Sequence, residues 1–245
     1  MKTVVILQPG YLPWLGFFRQ MIDADVFVYY DDVQFDKHGW RNRNRIKGQA
    51  GPLWLTIPVL HKGRSDQTIF ETEIANTTPW ADKQLKTIRQ VYAKAPHLEP
   101  YFSELSEVLL TKWERLVDLD MAATELMRRW FAITTPIARS SELGIGGGKV
   151  ERLINICKHF DASRYISGSA AKDYIAEDQF QAAGIELVWQ EYQHPVYPQL
   201  HGAFVSHLSA LDLAFNAGPE SGAILRQPST SAGEGHARER DSETF

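Results

Sequence analysis

Arg41, Asn42, Arg43, Asn44 and Arg45 alternate guanidinium and amide within VQFDKHGWRNRNRIKG. If residues 41–46 are extended, neighbouring side chains point to opposite faces. The three arginines then line one face, and Asn42 and Asn44 the other. Like charges in a row repel unless water, carboxylates or an anion offset them. Arginine forks match phosphate or carboxylate with paired bonds. The stretch therefore reads as an anion clamp, as an ion-pair network with Asp31, Asp32 or Asp36, or as a solvated loop. Gln34, Phe35 and Trp40 flank it and can wall a pocket, which favours the clamp.

Further stretches carry chemistry-bearing side chains. Gln8-Pro9-Gly10-Tyr11 sits where an apolar strand turns into a helix, whose free N–H groups attract anions. The same residues also make a tight turn plugged by aromatic rings. IGGGKVER can form a backbone nest for phosphate or serve as a hinge; it lacks the spacing and the Ser/Thr of a P-loop. Ser167, Ser169 and Lys172 in YISGSAAKDYI offer hydroxyls and an ammonium to a ligand, or Ser169 caps a helix. That stretch is not the nucleophile elbow of a serine hydrolase. His194, Tyr197, Gln199 and His201 cluster around two prolines in QEYQHPVYPQLHG. They suit a rigid polar loop that closes over a ligand, with His194 or His201 as a general base or simply as a surface histidine. Their spacing on a non-helical loop is not a metal motif, and no metal-ligating residues are assigned.

Positioning these groups requires a sheet. TVVIL, a helical WLGFFRQMIDA and the run DVFVYY read as strand, helix, strand within about thirty residues, the pattern of a right-handed crossover between parallel strands. That places the Gln8–Tyr11 loop and the Asp31-Asp32 pair at the carboxyl ends of neighbouring strands, where open α/β sheets bind ligands. PLWLTIPVL (52–60) and QTIFETEI (67–74) read as further strands. Residues 81–95, 101–111 and 114–132 carry helical periodicity, with Leu116, Leu119, Ala123, Leu126 and Trp130 on one stripe. A short strand within 134–143, the strands in RYISG and GIELVWQEY, and a helix ending near Gly218 complete the pattern. The expected fold is α/β: a Rossmann-like, mostly parallel sheet with a helical insert or cap at about 80–132, as a single domain over 1–226. From Gln227 the chain has almost no apolar residues and reads as a disordered tail.

A chain of 245 residues with 44% hydrophobic and 23% charged residues buries a substantial core. Its net charge of −4 argues against a general nucleic-acid surface. The single cysteine excludes an intrachain disulfide and a cysteine zinc cluster, and fits a reducing cytoplasm. The apolar run at the start is too short for a secretory signal, and no run reaches the roughly 20 residues of a membrane span.

Together QPGYLPWLGFF, DADVFVYYDDVQFDKHGWRNRNRIK, PLWLTIPV, RYISGSAAKDYI, GIELVWQEYQHPVYPQLHGAF and LSALDLAFNAGPES resemble the WbqC-like protein family over about residues 3–222. Members often carry His at the position of Gln8. The resemblance implies a cytoplasmic step on a nucleotide-activated sugar in O-antigen-type polysaccharide biosynthesis. The first strand–helix–strand unit also looks remotely like the HIGH-motif nucleotidyltransferases, which implies amide formation through an adenylate. The expected activity is acyl or aminoacyl transfer to a nucleotide-linked amino sugar. Arg41, Arg43, Arg45 and Lys172 would stabilise developing charge, and Asp31, Asp32 or His194 would act as base. The expected substrate-binding set adds Gln8, Tyr11, Gln34, Trp40, Asn42, Asn44, Ser167, Ser169, Tyr197 and His201. ATP with Mg²⁺ or coenzyme A are the candidate cofactors. A glycosyltransferase and a non-catalytic scaffold of polysaccharide assembly are the rival expectations.

Overall fold

TVVIL is rich in β-branched residues and carries no charge, so it forms a strand buried on both faces, β1 (Thr3–Leu7). The computed structural model describes residues 1–37, 39–173 and 175–227. After β1 come α1 (Leu15–Asp23), β2 (Val26–Tyr29) and a hairpin of β3 (Arg43–Gly48) and β4 (Gly51–Thr56). Three helices follow: α2 (Trp80–Val91), α3 (Leu98–Leu110) and α4 (Leu116–Trp130). The chain then runs through β5 (Ile137–Arg139), α5 (Ser140–Leu143), α6 (Lys149–His159), β6 (Arg164–Gly168), α7 (Glu177–Ala182) and β7 (Glu186–Gln190). It closes with α8 (Leu211–Ala217) and α9 (Ser221–Arg226). The expected tail lies, from residue 228 on, outside the described residues.

Five strands form one parallel sheet in the order β5-β2-β1-β6-β7. The fold is thus the Rossmann-like α/β arrangement expected, and the strand order reverses between β1 and β6. Alternate residues split the core. Val5, Phe27 and Tyr29 face α1, the helices α2–α4 and α8. Val4, Ile6, Val26 and Val28 face α6 and the α7 residue Phe180. One continuous apolar cluster joins α2–α4 to the sheet, so this helical block covers a sheet face. Among the described residues no helix is long and apolar enough to cross a membrane.

The stretch 67–74 is not a strand; it makes only isolated bridges, such as Gln34 with Thr68 and Val59 with Ile74. Thr68 is the reason. Its amide and hydroxyl both bind Glu71 Oε2 at 3.0 Å, and its carbonyl accepts from the Thr72 hydroxyl at 2.8 Å. Such local bonds offer the backbone a turn in place of a ladder.

Candidate functional site

One amide of RNRNR holds the first loop in place, and the other ties down the chain after β4. Asn44 Nδ2 donates to the Tyr11 carbonyl at 3.1 Å and the Leu12 carbonyl at 2.8 Å. Asn42 Nδ2 donates to the Ile57 carbonyl at 2.8 Å. Arg41 reaches the Pro9 carbonyl at 2.9 Å, and the Tyr11 amide returns a bond to the Arg41 carbonyl at 3.1 Å. Gly10 backs onto this contact so closely that a Cβ there would stand 3.0 Å from the Trp40 carbonyl oxygen. Replacing Asn44 by Ala leaves two loop carbonyls without a donor. We expect a loss of about 1–3 kcal/mol, read as a lower urea midpoint at unchanged slope.

Arg43 and Arg45 do something else. They lie on the opposite face of β3 from the buried Asn44, and the hairpin register sets Arg45 against Trp54. The Arg43 guanidinium lies 4.5 Å from the Trp54 ring centroid. That of Arg45 lies 5.2 Å from Trp40 and 5.6 Å from Trp54. The two indoles are 5.1 Å apart. The buried Nε of Arg45 has no hydrogen-bond partner. Trp54 is 45% exposed and its neighbour Leu53 41%. This is a cationic slot with flat walls, open to solvent on one side.

At the end of β2 the acidic pair is tied to arginines. Asp31 is fully buried; Arg139 Nε donates to it at 2.9 Å, Ser141 N at 3.0 Å and Ser141 Oγ at 2.8 Å. Asp32 pairs with Arg152. The Ser140 hydroxyl stands between the two carboxylates, at 3.2 Å from Asp31 and 2.5 Å from Asp32. Its single hydrogen serves one of them at a time.

Deeper under the loop sits a residue the sequence reading passed over. Asp120, on the inward stripe of α4, is 0% exposed, and neither carboxylate oxygen has a hydrogen-bond partner. Burial holds its carboxyl well above the usual range, and the Arg41 guanidinium pulls it part of the way back. Arg41 itself is pushed down by burial, with Asp120 and then Asp36 opposing. Tyr11 is raised by burial and next by Asp120; its hydroxyl donates to Gln84 at 2.7 Å. One turn along α4, buried Thr124 lies beside the Tyr29 hydroxyl.

The remaining candidates fall in other places. Gln8 is half-buried just after β1, and Gln34 donates to the Ser65 carbonyl at 3.1 Å. Ser167 is buried in β6, and Ser169 opens a short 3-10 turn beyond it. Lys172 stands 5.7 Å from the Trp189 ring, on the β7 side of the sheet. In the glycine run the Gly148 amide already donates to Glu151 at 3.0 Å. His194 lies among the rings of Tyr192, Tyr197, Phe204 and His207. Its Nδ1 is 3.0 Å from the Pro195 carbonyl, while its buried Nε2 has no partner. Burial lowers its pKa to about 4. His201 Nε2 is 2.9 Å from the Val91 carbonyl. Tyr197 donates to buried Asp212 at 2.9 Å. Among the described residues no three His, Cys, Asp or Glu side chains converge to hold a metal ion.

The structure therefore brings Arg43, Arg45 and Trp40 together with Trp54, and Tyr11, Arg41 and Asn44 around the loop after β1, while Asn42 pairs with Ile57. It leaves Ser167, Ser169 and Lys172 on the β6–β7 side, and gives Tyr197 to a different buried network. Only the hairpin register reveals Trp54, and only burial reveals Asp120. The model of the WbqC-like protein family matches residues 8–224. The uncharacterized protein Rv1507c of Mycobacterium tuberculosis is 37% identical over 230 residues, covering 92% of this chain and 98% of its own length. No solved structure matches. With its motif-bearing loop, hairpin and sheet edge all inside the matched span, the chain belongs to the WbqC-like protein family.

Proposed function

We propose that this chain is an enzyme of surface-polysaccharide biosynthesis that transfers an acyl or aminoacyl group to a nucleotide-linked amino sugar. The observation that carries the reading is the slot of Arg43, Arg45, Trp40 and Trp54. The Arg45 guanidinium, over both indoles with its Nε unpartnered, offers an N–H edge to an anion, while Arg43 donates its Nε to the Gly39 carbonyl at 3.3 Å and adds charge; the exposed indole offers a face to a base. That combination suits a nucleoside diphosphate. The slot shares β3 with the amide clamp on the loop after β1, at the sheet edge where parallel α/β folds take ligands. The polysaccharide setting and the amino-sugar substrate come from the family resemblance.

The acyl donor enters as an ATP-derived adenylate or as a coenzyme A thioester. Magnesium, where ATP is used, would arrive on the nucleotide phosphates, as it commonly does with one or two carboxylates at most. Of the bases expected from the sequence, His194 keeps a lone pair at Nε2, while Asp31 and Asp32 already serve arginines.

The test is a thermal-shift panel of ATP, coenzyme A and UDP-, dTDP- and GDP-sugars, with and without Mg²⁺. At 100 times Kd a ligand stabilises by about 2.7 kcal/mol, roughly 5–10 °C for a chain of this size. We expect one nucleotide class to give such a shift, and Arg45→Ala or Trp54→Ala to lose most of it while melting within about 2 °C of wild type. An undiminished shift in both variants would move the ligand elsewhere. A second reading, a non-catalytic scaffold, is favoured by the exposed Leu53–Trp54 pair. It predicts silence across the panel and loss of a protein contact in Trp54→Ala.

A further inference from the structure

We infer that Asp120 is the proton acceptor of this site, meeting the substrate's amine beneath the loop that Arg41 and Asn44 hold. The inference rests on the acyl-transfer reading above and adds to it a residue and the chemistry it faces.

A carboxyl group buried without partners is costly in any fold. Asp120 is 0% exposed with both oxygens unsatisfied, although donors stand nearby. Tyr11 spends its hydroxyl on Gln84 and Arg41 spends an N–H on Pro9. The fold thus commits these two donors elsewhere and leaves the carboxyl open, and the Thr124 hydroxyl one turn along α4 is likewise without a partner. Asp118, two residues earlier on the same helix, keeps its side chain 43% exposed, so the local sequence does not force an acid inward. The groups facing Asp120 come from each side. Arg41 comes from the segment before β3, Tyr11 from the loop after β1 and Tyr29 from the end of β2. Arg128 and Glu125 lie further along α4 and act on Tyr29 as well. One cation close to one carboxyl in a desolvated place is the arrangement that tunes an acid towards neutral pH.

The loop Gln8–Leu12 forms the roof. Leu12 has φ 44°, a left-handed conformation that a branched side chain seldom adopts. The roof is tied down by the bonds from Arg41 and Asn44 and by those of the Tyr11 amide. A substrate that replaces some of these bonds opens the way to Asp120. The step then balances. The amine nitrogen bonds to the acyl carbon of an adenylate or thioester, and the bond from that carbon to phosphate oxygen or sulfur breaks. The leaving group takes that electron pair, and the amine's surplus proton passes to Asp120.

The test uses the full chain, UDP-glucosamine and UDP-glucose as amine and hydroxyl probes, and Asp120→Asn. The folded carboxyl holds its proton more tightly than the unfolded one, whose ordinary value is 3.8. Folding therefore takes up a proton above that pH, and wild-type stability is lost as pH rises towards the folded pKa. The melting temperature of Asp120→Asn should gain on wild type as the pH rises above the ordinary carboxyl value and level off beyond the folded pKa. UDP-glucosamine should shift wild type more than UDP-glucose does, and the variant should shift equally with both. A wild-type-to-variant gap that is flat with pH, or an amine preference that survives in the variant, would overturn the role of Asp120. Equal shifts by both probes in wild type would do the same and leave the nucleotide slot standing. No shift by either probe in either protein would overturn the acyl-transfer reading itself.

Discussion

Asp31→Ala should cost about 3–5 kcal/mol, the usual consequence of removing one partner of a buried ion pair. For a chain of this size that is a fall of roughly 6–20 °C in melting temperature. The reason is what remains behind. Arg139 would keep its charge at a largely buried position, 2.8 Å from where the carboxylate stood. The Ser141 amide and hydroxyl would lose their acceptor. Arg139 ends β5, and the Asp31 carbonyl also holds the Phe70 amide at 2.7 Å, so the bond set joins β2, β5 and the turn at Phe70. Asp31→Asn should cost less, because the amide oxygen still accepts from Ser141. Thermal and urea melts of both variants check this. If Asp31 served catalysis alone, Asp31→Ala would melt within about 2 °C of wild type, and its structural role would be refuted. Asp32, half-buried and paired with Arg152, should be more tolerant than Asp31, because water still reaches it.

The contrast between neighbouring aspartates shows what the sequence can and cannot convey. Period and composition carry over directly into elements. TVVIL and VFVY became β1 and β2 because runs of β-branched and aromatic residues fit a strand buried on both faces, while RYISG became β6 with only Tyr165 and Ser167 buried. The alternation in RNRNR also carried over, since a period of two separates faces whatever the partners are. It did not say what each face meets. Asn42 and Asn44 turned out to hold backbone carbonyls, while Arg43 and Arg45 stack on an indole from β4. That contact depends on which residue of β4 lies opposite Arg45, a register that a turn sets and composition does not. Asp120 was illegible for a similar reason. In LVDLDMAAT both aspartates look like the polar face of a helix, and only the packing of α4 against Tyr29 and the first loop turns Asp120 inward. The stretch 67–74 failed in the other direction. Its apolar residues suggested a strand, but the buried pair Ile69 and Ile74 are five apart, and Thr68 captures the turn between them.

Asp212→Ala should be as damaging as the change at Asp31, again about 3–5 kcal/mol, because it removes the hub of a separate buried network. Tyr92 donates to Asp212 at 2.8 Å and Tyr197 at 2.9 Å. Gln199 Nε2 donates to the Tyr197 hydroxyl at 3.3 Å, and the Lys47 amide donates to that of Tyr92 at 3.3 Å. Lys47 is only 2% exposed; its ammonium binds the Gly202 and Ala203 carbonyls at 3.3 and 2.5 Å and attracts Asp212. Burial raises the Asp212 carboxyl, and the two phenols and Lys47 oppose it. Without the carboxylate two phenols lose their acceptor, and a buried ammonium loses its counter-charge. The damage should be local before it is global, since three of these contacts tie the segment 197–205 to β3 and α8. Limited proteolysis should therefore cut Asp212→Ala within 197–205 under conditions where wild type stays whole. Tyr197→Phe removes one hydroxyl and leaves the hub, so it should cost about 1 kcal/mol. Adding it to Asp212→Ala should cost less than it does in wild type, because the bond to Asp212 is already gone and only the 3.3 Å bond from Gln199 remains. A double variant as unstable as the sum of the singles would mean that Tyr197 and Asp212 stabilise the fold independently, and that the loop bearing His194 is held by other contacts.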